Sequence, residues 1–163
     1  MTELEMKKYS RNALLGSFVS MLTAGLATMM YSVSISTIRT DLALTAVQAG
    51  SLGTYTFMGQ MLGGMVAGYL ADRYGRKNIL IVDVILATLA VFATSLLQSY
   101  SIFGILRFIT GVGLGGCYYI ASILIGEFVP TNKRGFMSGV ATSVWNFGYV
   151  VCCAMSAFAL PSI

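Results

Sequence analysis

Apolar residues fall into five long runs: about Ala13 to Ile38, Ala46 to Ala71, Ile79 to Leu97, Ser101 to Gly126 and Met137 to Leu160. Each holds about 19 to 26 residues. At about 1.5 Å per residue, each is long enough to cross a hydrocarbon core roughly 30 Å thick. The pattern predicts an all-α integral membrane protein with about five transmembrane helices. Residues 1–12 form a polar, basic N-terminal segment, 13–160 the helix bundle, and 161–163 the C-terminal end. The first run exceeds the roughly 7 to 15 apolar residues of a signal peptide and leads directly into a second span, so it reads as a membrane helix.

Polar residues between the runs set the helix ends. Thr45 and Gln48 have capping-box spacing, which satisfies open backbone donors where the second helix starts. Pro130 predicts a break after the fourth. Glycines recur on the second helix (Gly59, Gly63, Gly64, Gly68) and the fourth (Gly111, Gly113, Gly115, Gly116). Small residues four apart let helices pack closely in lipid, where no hydrophobic force draws them together.

Charge supplies the sidedness. Of ten Lys and Arg residues, eight lie in three short segments: Lys7, Lys8 and Arg11; Arg73, Arg76 and Lys77; Lys133 and Arg134. These alternate with links that hold only Arg39, which is the positive-inside pattern of a multi-span protein rather than a phosphate-binding stripe. Nucleic acid is therefore not an expected partner; the lipid bilayer is. The N-terminus is expected in the cytoplasm and Ile163 outside. Composition agrees, with 56% hydrophobic and 10% charged residues, against about 25% charged in soluble domains. Cys117, Cys152 and Cys153 lie in apolar runs without metal-type spacing, and the chain has no His. They read as small apolar residues. No cofactor, metal or catalytic cluster is expected, and the chain is not expected to be an enzyme. Gly111 to Gly116 fits G-x-G-x-x-G, but it lies inside a membrane helix, whereas a dinucleotide site needs a preceding strand.

Charged residues within the spans carry the chemistry. Arg107 lies about six residues into a helix that starts outside. It either snorkels to the outer interface or faces a cavity and takes part in solute binding or proton coupling. Asp83 enters from the opposite face of the membrane, too far in depth to pair with Arg107, and is expected to meet Arg76, Lys133 or Arg134, as is Glu127. Tyr31, Gln60, Tyr119, Trp145, Asn146 and Tyr149 are mid-membrane candidates for cavity lining, although bundle packing accounts for them equally well. Asp72 ends the second helix, where the helix dipole disfavours a negative charge, so a nearby Arg or another helix N-terminus must stabilise it.

The segment Gly68-Tyr69-Leu70-Ala71-Asp72-Arg73-Tyr74-Gly75-Arg76-Lys77 resembles the signature loop of the major facilitator superfamily of secondary transporters, G-x-L-x-D-R-x-G-R-[RK]. Arg107 with Gly111, Gly113 and Gly116 resembles that family's fourth-helix signature, and Glu127 to Pro130 with Arg134-Gly135 its E-x-x-P-x-x-x-R-G segment. The resemblance runs from about Leu14 to Leu160. It implies a fold of two six-helix halves, of which this chain supplies most of the N-terminal bundle. The first and fourth helices would line a central cavity, the second and fifth would flank it, and the third would be peripheral. It also implies gating by Gly68, Asp72, Arg73, Gly75, Arg76 and Lys77, an inner-gate charge network of Asp83, Glu127 and Arg134, and solute or proton coupling at Arg107.

The expected function is secondary active transport of a small organic solute, an organic acid or a sugar, coupled to protons. The chain would act as an incomplete N-terminal portion that works with a missing C-terminal half. The alternative is a non-transporting subunit or truncated relic that associates with another membrane protein. Met29-Met30-Tyr31 stands where the organic-acid branch often has paired Asp residues, and the short outer link after the first helix favours a bacterial inner membrane.

Overall fold

The computed structural model describes residues 3–96 and 99–159. Five α-helices follow in order: α1 (Glu3–Asp41), α2 (Ala46–Tyr74), α3 (Arg76–Leu96), α4 (Tyr100–Phe128) and α5 (Arg134–Ala159), with a 3-10 turn at Thr131–Lys133 before α5. No strand occurs among the described residues. The expected ends at Leu97 and Leu160, and the outer segment 161–163, lie outside the described residues.

Helix ends follow local chemistry. The Thr45 hydroxyl accepts from the Gln48 amide at 3.3 Å, and the Gln48 side chain accepts from the Thr45 amide at 2.9 Å, closing the capping box. Gly75 alone separates α2 from α3. Its φ of +89° reverses the chain at a conformation that disfavours side chains, and its N–H donates to the Ala71 carbonyl at 2.9 Å. Val129 caps α4 by donating to Ile125, and Pro130 then starts the turn into α5. The polar N-terminal segment is helical from Glu3 and continuous with the first span. No Gly or Pro stands between Glu3 and Asn12 to stop the helix there.

Facing residues give the directions of the helices. Leu52 of α2 meets Phe103 of α4, and Ala67 and Ala71 meet Cys117, Ile120 and Leu124, so α2 and α4 run parallel. Asp83 and Ala87 of α3 face Gly116 and Gly113, so α3 is antiparallel to α4. Leu14 and Phe18 of α1 pack near Met137 and Ala141 of α5 and near Ile125 and Val129 of α4, which makes α1 parallel to α5 and antiparallel to α4. Helix α4 is the hub, with apolar clusters joining it to all four neighbours.

Glycine permits the closest approach. A Cβ at Gly59, Gly63, Gly111 or Gly115 would collide with the facing backbone across the α2–α4 seam. This is van der Waals packing of backbone on backbone, which suits a membrane bundle. Four helical segments are long and apolar enough to cross a membrane: Ala13–Thr40, Arg76–Thr94, Tyr100–Phe128 and Thr131–Met155. Helix α2 has the length, at 29 residues, but glycines, threonines and Gln60 dilute its apolar character. Its parallel contact with α4 from Leu52 to Ala71 nonetheless carries it alongside a full apolar span.

Candidate functional site

Two adjoining spaces open beside the α2–α4 seam. The larger, about 680 Å³, is walled by α1, α2, α4 and α5, including Thr28, Gln60, Met65, Tyr119, Thr142 and Trp145. The smaller, about 100 Å³, lies between α1, α2 and α4 and is lined by Tyr31, Ser32, Thr56, Gln60 and Arg107. Thr28, Phe57, Gln60 and Leu114 border both. Helix α3 contributes to neither.

Arg107 is 8% exposed. Its guanidinium stands 4.1 Å from the centroid of the Tyr31 ring and 5.2 Å from that of Phe103. Phe103 lies one turn before Arg107 on α4, so the same helix supplies the cation and one of its platforms. The Tyr31 hydroxyl donates to the Ala49 carbonyl at 2.9 Å, which fixes the ring against α2. Such stacking holds a planar cation without neutralising it. No carboxylate pairs with Arg107 among the described residues, and its Nε has no hydrogen-bond partner.

The polar groups around Arg107 are partly committed. Thr28 and Thr56 donate to the carbonyls of Ala24 and Leu52 one turn back. Gln60 borders both spaces, and its side-chain amide makes no hydrogen bond among the described residues. The result is a pocket with one fixed positive charge, an amide and several hydroxyls on an apolar wall.

A second group of charges gathers at the α2–α3 turn. Arg76 contacts Asp72 at 3.5 Å and forms an ion pair with Glu127 at the end of α4. Asp72, disfavoured by the dipole of its own helix, thus meets a cation across Gly75. Asp72 is 74% exposed and Glu127 50%. Arg73 stacks over Tyr74 at 5.9 Å, Lys77 is exposed, and Arg134 donates from Nε to the Val129 carbonyl at 3.1 Å. Gly68 lies against the Tyr119 ring.

The structure separates other candidates. Asp83 makes no ion pair with Arg76, Lys133 or Arg134 among the described residues; its side chain turns toward Gly116 of α4 instead. It is level with Gly113 to Gly116, six to nine residues beyond Arg107, or about 9–14 Å along the axis. Trp145 lines the larger space and its backbone rests on Gly25 of α1. Asn146 is exposed and donates to its own helix at Thr142, and Tyr149 is exposed outside both spaces. Sequence reasoning missed Thr28, Thr56 and Phe103. The signal was helical spacing: Thr28 precedes Tyr31 by three residues, Thr56 precedes Gln60 by four, and Phe103 precedes Arg107 by four.

Long apolar helices packed around a buried cation and a mainly apolar cavity define a membrane-type helical bundle. Comparison with known proteins gives the family. The Major Facilitator Superfamily model matches residues 17–163, and the chain belongs to that superfamily. It is 33% identical over 149 residues to the Cis,cis-muconate transport protein of Acinetobacter baylyi, covering 91% of this chain and 36% of that protein. It is 33% identical over 127 residues to the Niacin transporter NiaP of the same species, covering 78% of the chain and 29% of the relative. It is 30% identical over 151 residues to the Inner membrane metabolite transport protein YgcS of Escherichia coli, covering 93% of the chain and 34% of the relative. The chain thus spans about a third of the length of these curated relatives.

Proposed function

We propose that this chain forms the first bundle of a secondary active transporter for a small organic anion, with Arg107 as the group that holds the solute's carboxylate. One observation carries the reading: a guanidinium buried within a membrane span is held by aromatic rings beside a mainly apolar cavity that also holds Thr56 and Gln60, and no carboxylate pairs with it among the described residues. Intramembrane cations without a partner mark solute or ion paths, and the planar fork of Arg suits a carboxylate. Gln60 and the threonine hydroxyls would orient the rest of the solute. Two relatives are named for muconate and niacin, both organic acids, which supports this choice over a sugar.

The Arg76 cluster would act as the inner latch, its exposed ion pairs forming and breaking as the carrier alternates its access. The basic turns would face the cytoplasm of a bacterial cell, with the protein in the inner membrane. Protons would supply the driving gradient. The larger space is bounded by four helices of this chain, and a facing bundle, from a C-terminal half or another membrane protein, would complete the path. Gradient-driven uptake of an organic acid in proteoliposomes tests the role of Arg107 in the assembled carrier. Arg107→Ala is expected to abolish uptake while membrane insertion stays normal. Normal uptake by that variant refutes the assignment.

A further inference from the structure

Asp83 is the intramembrane charge that the solute pocket does not use. It lies seven residues into α3, about 10 Å along the helix from Arg76, and is 7% exposed. Its carboxyl group is pressed against α4, since a Cβ at Gly116 would fall 2.5 Å from the carboxyl carbon. The same Cβ would lie 2.9 Å from Ala67, so α2 closes the spot from the other side. Oδ2 has no hydrogen-bond partner, and neither ion pair among the described residues includes Asp83.

Among the described residues, the neighbouring elements supply no cation at this level. Helix α4 presents Gly113 and Gly116, followed by the buried titratable thiol of Cys117. Helix α2 presents Ala67, and α1 presents Ala24 and Ala27 one turn away beside Ala87. Arg73, Asp72 and Arg76 sit at the α2–α3 turn, five or more residues away along their helices and engaged with one another or with Tyr74 and Glu127. A buried ionised carboxylate with no hydrogen-bond partner or cation is not sustained in such a place; the group takes up a proton instead.

We propose that Asp83 is a proton-binding site in the α3–α4 seam, loaded in the packing seen here, and that it releases its proton only when α3 parts from α4 at Gly113 and Gly116. In that step the carboxyl O–H bond breaks, the proton passes to water entering the opened seam, and the carboxylate stays on α3. Because α3 lines neither space at Arg107, the site is separate from the solute pocket. It holds whether or not protons drive uptake.

Infrared spectroscopy of the full chain in phosphatidylcholine–phosphatidylglycerol vesicles tests this, with aspartate carrying ¹³C in its side-chain carboxyl. At pH 7, about three units above the ordinary Asp range, we expect the carbonyl band of an un-ionised carboxylic acid, displaced by the label. The band is lost in Asp83→Asn. It persists in the double variant Asp41→Asn/Asp72→Asn, in which Asp83 is the remaining aspartate. That second variant keeps the test decisive if Asp83→Asn fails to insert. A spectrum with no labelled band at pH 7, or a band that survives Asp83→Asn or vanishes from the double variant, overturns the proposal.

Discussion

Arg76 opens α3 at the α2–α3 turn and meets two carboxylates, whereas Arg107 lies inside α4 and meets two aromatic rings and, among the described residues, no carboxylate. The first pairing is accessible to solvent, with Asp72 and Glu127 at least half exposed. Exposed pairs contribute about 0.2–1 kcal/mol and exchange readily with water. They suit a contact that must open and close. Arg107 has lost most of its water and gained only stacking in return, so its charge remains available to an incoming anion. Under the proposed function, the counter-charged Arg76 serves as a latch and the uncompensated Arg107 as a site.

The largest expected effect comes from removing the unpaired cation. Losing a buried charge contact to solute costs about 2–5 kcal/mol, roughly thirtyfold to several thousandfold in affinity, and uptake by Arg107→Ala should fall accordingly. If Arg107→Ala and Arg76→Ala lowered solute affinity equally, the contrast between site and latch would be lost.

A smaller effect separates the pocket from its scaffold. At Gly111 an added Cβ would strike the Thr56 backbone, with the Gln60 nitrogen 3.1 Å away. Gly111→Val should destabilise the α2–α4 seam by about 1–3 kcal/mol and lower the melting temperature in detergent. Because Thr56 and Gln60 line the space beside Arg107, solute affinity should fall as well. Unchanged melting with unchanged affinity would mean that the seam does not position the site.

The smallest effect belongs to the latch. A double-mutant cycle with Arg76→Gln and Glu127→Gln, read by thermal unfolding, should give a coupling of about 0.2–1 kcal/mol. A coupling of several kcal/mol would make the pair a fixed brace instead of a contact that opens.

The helices, the Thr45–Gln48 box, the reversal at Gly75 and the glycine stripes could all be read from the sequence, because each depends on local spacing. The contacts of the charged residues could not. Hydropathy and helix rise give the height of Asp83 in the membrane, but not the direction in which it leaves α3. That direction depends on the approach of α4 at Gly113 and Gly116, which turns Asp83 away from the basic cluster. Trp145 and Tyr149 share a face of α5 in sequence, yet only Trp145 reaches the space, because Gly25 admits the α5 backbone at that turn. The aromatic platforms of Arg107 join residues 31, 103 and 107, and the contact across α1 and α4 exists only once the bundle has formed.

The most direct measurement compares binding of an organic carboxylate with binding of its neutral amide to the reconstituted carrier, in the wild type and in Arg107→Ala. The wild type should prefer the carboxylate by at least about tenfold, and the variant should bind both alike. A carboxylate preference that survives loss of Arg107 would contradict the account.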